Sequence, residues 1–136
     1  DFDLSNVLFI ATANSLNMSN ALKDRMEIIE IPGYSIDDKI KIAREHLIGR
    51  AAHDTGWNVD DIMISDDAIR HIIQKYTSEQ GVRQAQREIT AILRRSLLEN
   101  NCEDVKTEFT PEKIDELLSI RQSAGFAKKI GFGVQL

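Results

Sequence analysis

The hydrophobic pattern of this chain changes at Pro32-Gly33, and that change limits what the chain can fold into. Before it lie two apolar runs of strand length, VLFIA (residues 7–11) and MEIIEI (residues 26–31). The first run is uninterrupted, which is typical of a strand covered on both faces in a parallel sheet, although a buried helix can give the same short pattern. After Pro32-Gly33, apolar residues recur every three or four positions, which is the period of amphipathic helices.

The first part is too small to form a sheet by itself. Two isolated strands with apolar faces would leave apolar surface exposed to water, so we expect their partner strands to lie upstream of Asp1. The link between the runs carries Ser19 as a predicted N-cap for one or two helical turns. The chain opens without Met and without a signal peptide, which favours a segment of a longer protein.

The second part is predicted to contain four helices and two short strand-like pieces. Each helix has an apolar face at helical spacing and a capping residue or a break at its ends. The predicted helices run from Ser35 to about Ala52, from Ser65 or Asp66 to Gly81, from Val82 to about Glu99, and from Thr110-Pro111 to about Ile120. The pieces IMI (62–64) and KTEF (106–109) can pair as strands.

Composition excludes several classes of function. The formal net charge is −5 and the pI is near 5.2, so no basic field covers the whole molecule. Cys102 is the single cysteine and has no partner at ligand spacing, and the three histidines are dispersed, so no metal site is expected. No apolar run is long enough to cross a membrane.

Complete catalytic motifs are also missing from the sequence. It contains no GxxxxGK[ST] phosphate loop, no acidic pair after an apolar strand to hold magnesium, and no GxSxG nucleophile motif. We therefore expect this chain not to be a complete catalyst by itself.

Three polar residues remain as candidates, each with a structural alternative. Asn14 follows a predicted strand, where an amide can orient a water or contact a phosphate, or can simply start a turn. Arg25 can reach a phosphate across an interface, or can form a local ion pair with Asp24. Arg83 lies in the first turn of a predicted helix, where a cation opposes the helix macrodipole and is not placed for local stability. The structural alternative is an ordinary exposed helix residue.

The residues that carry a family resemblance lie in two stretches. The run NVLFIATANSLNMSNALKDRMEIIEIPGYSIDDKIKIAREHLI and the later YTSEQGVRQAQREI resemble the end of the AAA+ module of the Lon family of ATP-dependent proteases. The motifs ATAN, LKDRME, GY and GVR occur in the family's order and spacing. The similarity extends from about Asp1 to Ile120.

The resemblance implies a role for each candidate residue. Asn14 matches the sensor-1 position, which senses the γ-phosphate and helps to position the attacking water. Arg25 matches the arginine finger, which completes the ATP site of the neighbouring subunit. Arg83 matches sensor 2, which reaches back to the nucleotide of its own subunit. Tyr34 and Ile42 match positions near the adenine at the hinge between the large and small modules. Ordinary packing in the hinge and the core is the structural alternative for both residues.

The fold implied by the resemblance is α+β and mainly α. It is the AAA+ small helical subdomain, or lid, of about four helices with a short two-stranded parallel sheet, and it follows a remnant of the large α/β subdomain. The expected divisions are 1–32 for the remnant, 33–120 for the lid, and 121–136 for a linker toward a protease domain.

The resemblance also implies cofactors and partners. The parent protein would be a homo-hexameric serine protease that uses ATP with Mg²⁺ to unfold and degrade misfolded and regulatory proteins, in a bacterial cytoplasm or a mitochondrial matrix. No cofactor is expected on this chain alone. Two alternatives stay open: the lid of another AAA+ motor without a protease, and a helical DNA-binding module. The DNA-binding alternative depends on the positive charge of Arg83, Arg87, Arg94 and Arg95. Glu88 and Glu99 on the same helix reduce that charge.

Overall fold

The computed structural model describes residues 2–101, 103 and 105–119. Its backbone contacts divide the chain into two units, Asp1–Ile31 and Pro32–Leu136. The predicted linker at 121–136, the predicted end of the last helix at Ile120, and Cys102 lie outside the described residues.

The first unit has little regular structure. Its described residues contain one short helix, α1 (Asn20–Lys23), and the Ser19 hydroxyl accepts a hydrogen bond from the Leu22 backbone N–H, as the sequence predicted. The two runs predicted as strands, at 7–11 and 26–31, do not form strands. A strand is held by hydrogen bonds to a neighbouring strand, and no described segment of this unit provides one.

The second unit begins with one long helix, which has three sections. They are α2 (Ile36–Ile42), a π-helical section (Ala43–Leu47) and α3 (Ile48–Thr55). The Ser35 hydroxyl caps its start by accepting from the Asp38 N–H at 3.1 Å. Gly56 ends it with φ of 83°, in the left-handed region where glycine is favoured. Ile36, the first residue of α2, is 37% exposed.

Three further helices and a small sheet complete this unit. The elements are a 3₁₀ turn (Val59–Asp61), β1 (Ile62–Ile64), α4 (Asp66–Tyr76), α5 (Arg83–Glu99), β2 (Thr107–Phe109) and α6 (111–119). Strands β1 and β2 pair in parallel, with Ile62 opposite Thr107. Ser65 caps α4 and Thr110 caps α6, both at 3.2 Å. The predicted mainly helical fold with a two-stranded parallel sheet is therefore confirmed.

Helix α5 lies against most of the hydrophobic core. It packs on α3, on α4 and on the π-helical section. Trp57 joins α5 to the sheet, because its indole N–H donates to the Leu93 carbonyl at 2.9 Å and its ring meets Phe109 edge to face at 6.0 Å. The buried apolar residues of α5 are Ala85, Ile89, Ile92 and Leu93.

Truncation of a buried leucine on α5 should destabilise the second unit far more than truncation of an exposed one. Leu93 is 2% exposed and Leu98 is 67% exposed on the same helix. We expect Leu93→Ala to lower the free energy of unfolding by about 2–5 kcal/mol, because it leaves a cavity. Leu98→Ala should change it by less than about 0.5 kcal/mol. Urea titration followed by circular dichroism measures both, and equal effects would contradict the packing described here.

Candidate functional site

Asn14 and Arg25 are both exposed in the first unit. Asn14 lies in a bend and not at the end of a strand, because the preceding run forms no strand. Arg25 follows α1, and its backbone N–H donates to the Leu22 carbonyl at 3.2 Å. The local ion pair with Asp24 is absent from the salt bridges among the described residues. Both side chains are thus available to a partner outside this unit.

Arg83 is the first residue of α5 and is exposed, as the sequence predicted. No hydrogen bond or ion pair joins its guanidinium to another described residue, so its position is not explained by a local contact. Tyr34 is 53% exposed at the start of the second unit, and Ile42 is half-buried and packs against the core. Packing explains Ile42, whereas the exposed ring of Tyr34 has no such explanation.

The loop between α4 and α5, residues 77–82, holds the beginning of α5. The Glu79 carboxylate accepts hydrogen bonds from the backbone N–H groups of Gln84, at 2.5 Å, and of Ala85, at 3.3 Å. Val82 occupies the N-cap position and has no capping side chain, so Glu79 supplies the acceptor from outside the helix. The Gln84 side chain returns a bond by accepting from the Ser78 N–H at 2.9 Å.

The same loop is bound to the first residues of the second unit. The Gln80 carbonyl accepts from the Tyr34 N–H at 3.0 Å, and the Glu79 carbonyl accepts from the Lys39 ammonium at 2.5 Å. Lys39 is only 7% exposed, so this charge-assisted bond is shielded from water. Gly33 packs so closely that an added Cβ would lie 2.7 Å from the Cβ of Gln80.

Sequence reasoning missed Glu79, Gln80 and Lys39. Their contacts join positions about forty residues apart, and hydrophobic periodicity carries no information about such polar pairs. Two signals were available in retrospect. A lysine falls next to Ile40, on the side of α2 that becomes buried, and a glycine stands directly before Tyr34.

The arginines of α5 do not form one basic surface. Arg83, Arg87 and Arg94 are exposed, whereas Arg95 is half-buried and donates to the Leu117 carbonyl near the end of α6. Arg95 is therefore held against α6 and does not lie on an exposed basic surface. A carbonyl group left without a partner at a helix C-terminus attracts such a cation. The DNA-binding alternative loses one of its four arginines to a structural contact.

One surface hollow on the second unit carries paired charges. It is lined by Asp37, Ile40, Lys41, Arg44, Asp66 and Arg70. Two ion pairs cross it, from Arg44 to Asp66 and from Arg70 to Asp37, the latter at 2.9 Å. Because each carboxylate there already has a guanidinium, this hollow offers no unpaired carboxylate for a ligand.

Asp115 on α6 collects three donors from α4. Its Oδ1 lies 2.8 Å from His71 Nε2, 2.5 Å from the Tyr76 hydroxyl and 3.0 Å from the Lys75 ammonium. The hydrogen bond from Tyr76, then that from His71, holds the pKa of Asp115 well below its usual range. Burial, followed by the hydrogen bond to Asp115, raises the pKa of Tyr76 to about 12. This cluster joins two helices through contacts on one carboxylate oxygen.

Acid should weaken the second unit partly through Asp115. A carboxyl group whose pKa is lowered in the folded state stabilises that state fully above the ordinary pKa of about 4. This stabilisation is lost as the pH falls toward the folded-state pKa. We expect the urea midpoint to fall between about pH 5 and about pH 3, and to fall less in Asp115→Asn. Glu112→Gln, an exposed change on the same helix, should keep the full decrease. An unaltered decrease in Asp115→Asn would contradict the assignment.

Two other kinds of feature are absent from the part of the chain that the structure describes. Within the described residues, no group of three or more His, Cys, Asp or Glu side chains is placed to hold a metal ion. Across the same residues, no helix is long and apolar enough to cross a membrane.

Comparison with known proteins connects this geometry to one family. Residues 53–112 match the family model of the Lon protease AAA+ ATPase lid domain. This match covers the region from the end of α3 to the start of α6, including the 77–82 loop and Arg83. Gly33, Tyr34 and Lys39, which contact that loop, lie before the matched residues.

Curated relatives extend the similarity beyond the lid. The chain is 46% identical over 99 residues to a Lon protease of Acinetobacter baumannii, 52% over 97 residues to one of Rickettsia bellii, and 38% over 125 residues to one of Azospirillum brasilense. These matches cover 73%, 71% and 90% of this chain, but only 12%, 12% and 15% of the relatives. The chain thus corresponds to a small part of each relative.

Proposed function

We propose, from the premise that this chain carries a Lon-type AAA+ lid domain, that it is one segment of a longer ATP-dependent serine protease. In this proposal the second unit is the lid, and the first unit is the end of the nucleotide-binding α/β subdomain. The complete protein would be a homo-hexamer that uses ATP with Mg²⁺ to unfold and degrade other proteins. It would act in a bacterial cytoplasm or in a mitochondrial matrix.

The observation that carries the proposal is the placement of Arg83. It opens α5, it is exposed, and it opposes the macrodipole of that helix. Local stability therefore gives no reason for a cation here. A guanidinium held at a fixed helix start is suited to bind the oxygens of a phosphate when a nucleotide lies opposite the lid.

Asn14, Arg25 and Arg83 would then act together on one reaction. Asn14 would orient the attacking water, and Arg83 would contact the nucleotide of its own subunit. Arg25 would stabilise transition-state charge at the neighbouring subunit's ATP. Tyr34 and Ile42 would lie near the adenine. Because these groups belong to separate units and subunits, hydrolysis would require both an assembled ring and a closed lid.

This chain alone should therefore be inactive. It has no phosphate loop and no protease motif in its sequence. We expect no ATP turnover and no peptidase activity from the purified chain, whereas the complete protein should degrade an unfolded protein only with ATP. The lid of an AAA+ motor without a protease is the main alternative. A Ser-Lys protease module encoded after Leu136 would support the protease, and its absence would favour the other motor.

Replacement of Arg25 should impair hydrolysis without preventing nucleotide binding. In the complete protein we expect Arg25→Ala to lower kcat for ATP by at least about 100-fold, with nucleotide binding largely kept. If Arg25 acts across subunits, mixing these subunits with phosphate-loop mutant subunits should restore part of the ATPase activity. No recovery in the mixture would indicate that Arg25 has a structural role only.

Replacement of Arg83 should have an effect that a neighbouring arginine does not share. Arg87 is exposed one turn later on the same helix and provides a matched loss of charge. We expect Arg83→Ala to lower kcat for ATP by about 100-fold in the complete protein, and Arg87→Ala to lower it by less than about 3-fold. Similar losses in both variants would point to a general charge effect and not to phosphate contact.

A further inference from the structure

We infer that Gly33, Lys39, Glu79 and Gln80 are positioning residues that fix Arg83 relative to Tyr34, and that Gly33 is required because the 77–82 loop packs directly on it. This inference rests on the proposed role of Arg83 as a phosphate-binding group. It extends that role to residues that do not contact the nucleotide themselves.

Three contacts make the link continuous. The Gln80 carbonyl holds the backbone N–H of Tyr34, and the Glu79 carboxylate holds the N–H groups of Gln84 and Ala85 in the first turn of α5. Glu79 and Gln80 are adjacent residues, so a displacement at Tyr34 is transmitted through two peptide units to the helix that begins with Arg83.

The Lys39 ammonium stiffens this link from the core side. It donates to the Glu79 carbonyl at 2.5 Å while the side chain of the same glutamate caps α5. Glu79 is therefore held at both its backbone and its carboxylate. A loop fixed at two points of one residue leaves little freedom to the residues that follow it, which include Arg83.

Gly33 sets the distance between the two segments. A methyl group there would lie 2.7 Å from Gln80 Cβ, 3.1 Å from the Gln80 carbonyl oxygen and 3.3 Å from Gln80 Cα. These atoms belong to the backbone or adjoin it, so no flexible side-chain end can simply move away. Alanine at position 33 must push the loop and the Tyr34 segment apart.

The first test measures the link in the chain itself, without catalysis. Gly33→Ala should increase amide hydrogen exchange at Tyr34, Gln84 and Ala85, whereas exchange at the buried core of α5 should stay unchanged. A second change, Gln80→Gly, removes the clashing Cβ and should partly restore protection. Gln80→Ala keeps that Cβ and should not. Unaltered exchange at Gln84 and Ala85 in Gly33→Ala would overturn the inference.

The second test measures the consequence in the complete protein. We expect Gly33→Ala to lower kcat for ATP by about 10-fold or more, because small displacements of a catalytic group cost that much. In an Arg83→Ala background the same change should cost almost nothing further, since the group that it misplaces is already absent. Lys39→Met should likewise lower kcat for ATP in the otherwise unchanged protein and cost almost nothing further in the Arg83→Ala background.

The outcomes separate the two levels of the proposal. Full activity in Arg83→Ala would overturn the proposed role of Arg83 and the inference with it. Impaired activity in Arg83→Ala, combined with an undiminished loss from Gly33→Ala in that background, would overturn the inference alone. Loss of effect in the double variant, together with partial rescue by Gln80→Gly, would support the positioning role.

Discussion

Burial of one face of α5 is the constraint on which the rest of the second unit depends. The helix contacts α3, α4 and the π-helical section, and its Leu93 carbonyl receives the indole N–H of Trp57. Arg95 joins the same helix to α6, because its guanidinium donates to the Leu117 carbonyl. Because Arg83 opens this helix, the packing that stabilises the unit also fixes the direction from which its guanidinium projects.

The helical part could be predicted from sequence because its information is local. Apolar residues at helical spacing mark the buried face, and Ser35, Ser65 and Thr110 each cap the helix that follows. The two strands β1 and β2 were predicted as short strand-like pieces, of which only IMI is apolar, and the family resemblance supplied their parallel pairing. The π-helical section was not predicted, since one widened turn hardly alters the spacing of Ile40, Ala43 and Leu47.

The first unit shows the opposite case. The runs at 7–11 and 26–31 were predicted as buried strands from their apolar residues, yet Phe9 and Ile10 are 71% and 83% exposed. An apolar segment predicts that the segment is buried, but it does not say which other segment covers it. A strand also needs a hydrogen-bonded neighbour, and the described residues provide none for these two runs. The relatives, of which this chain covers 12–15%, are long enough to supply such neighbours in the proposed complete protein.

The contact at Gly33 lies directly after the division between the two units. The division falls between Ile31 and Pro32, and Pro32 has a nearly fixed φ. Gly33 and Tyr34 contact Gln80 in the 77–82 loop, so the first residues of the second unit are joined to the segment that precedes Arg83. Because that loop also caps α5 through Glu79, the inferred positioning of Arg83 depends on contacts inside the second unit.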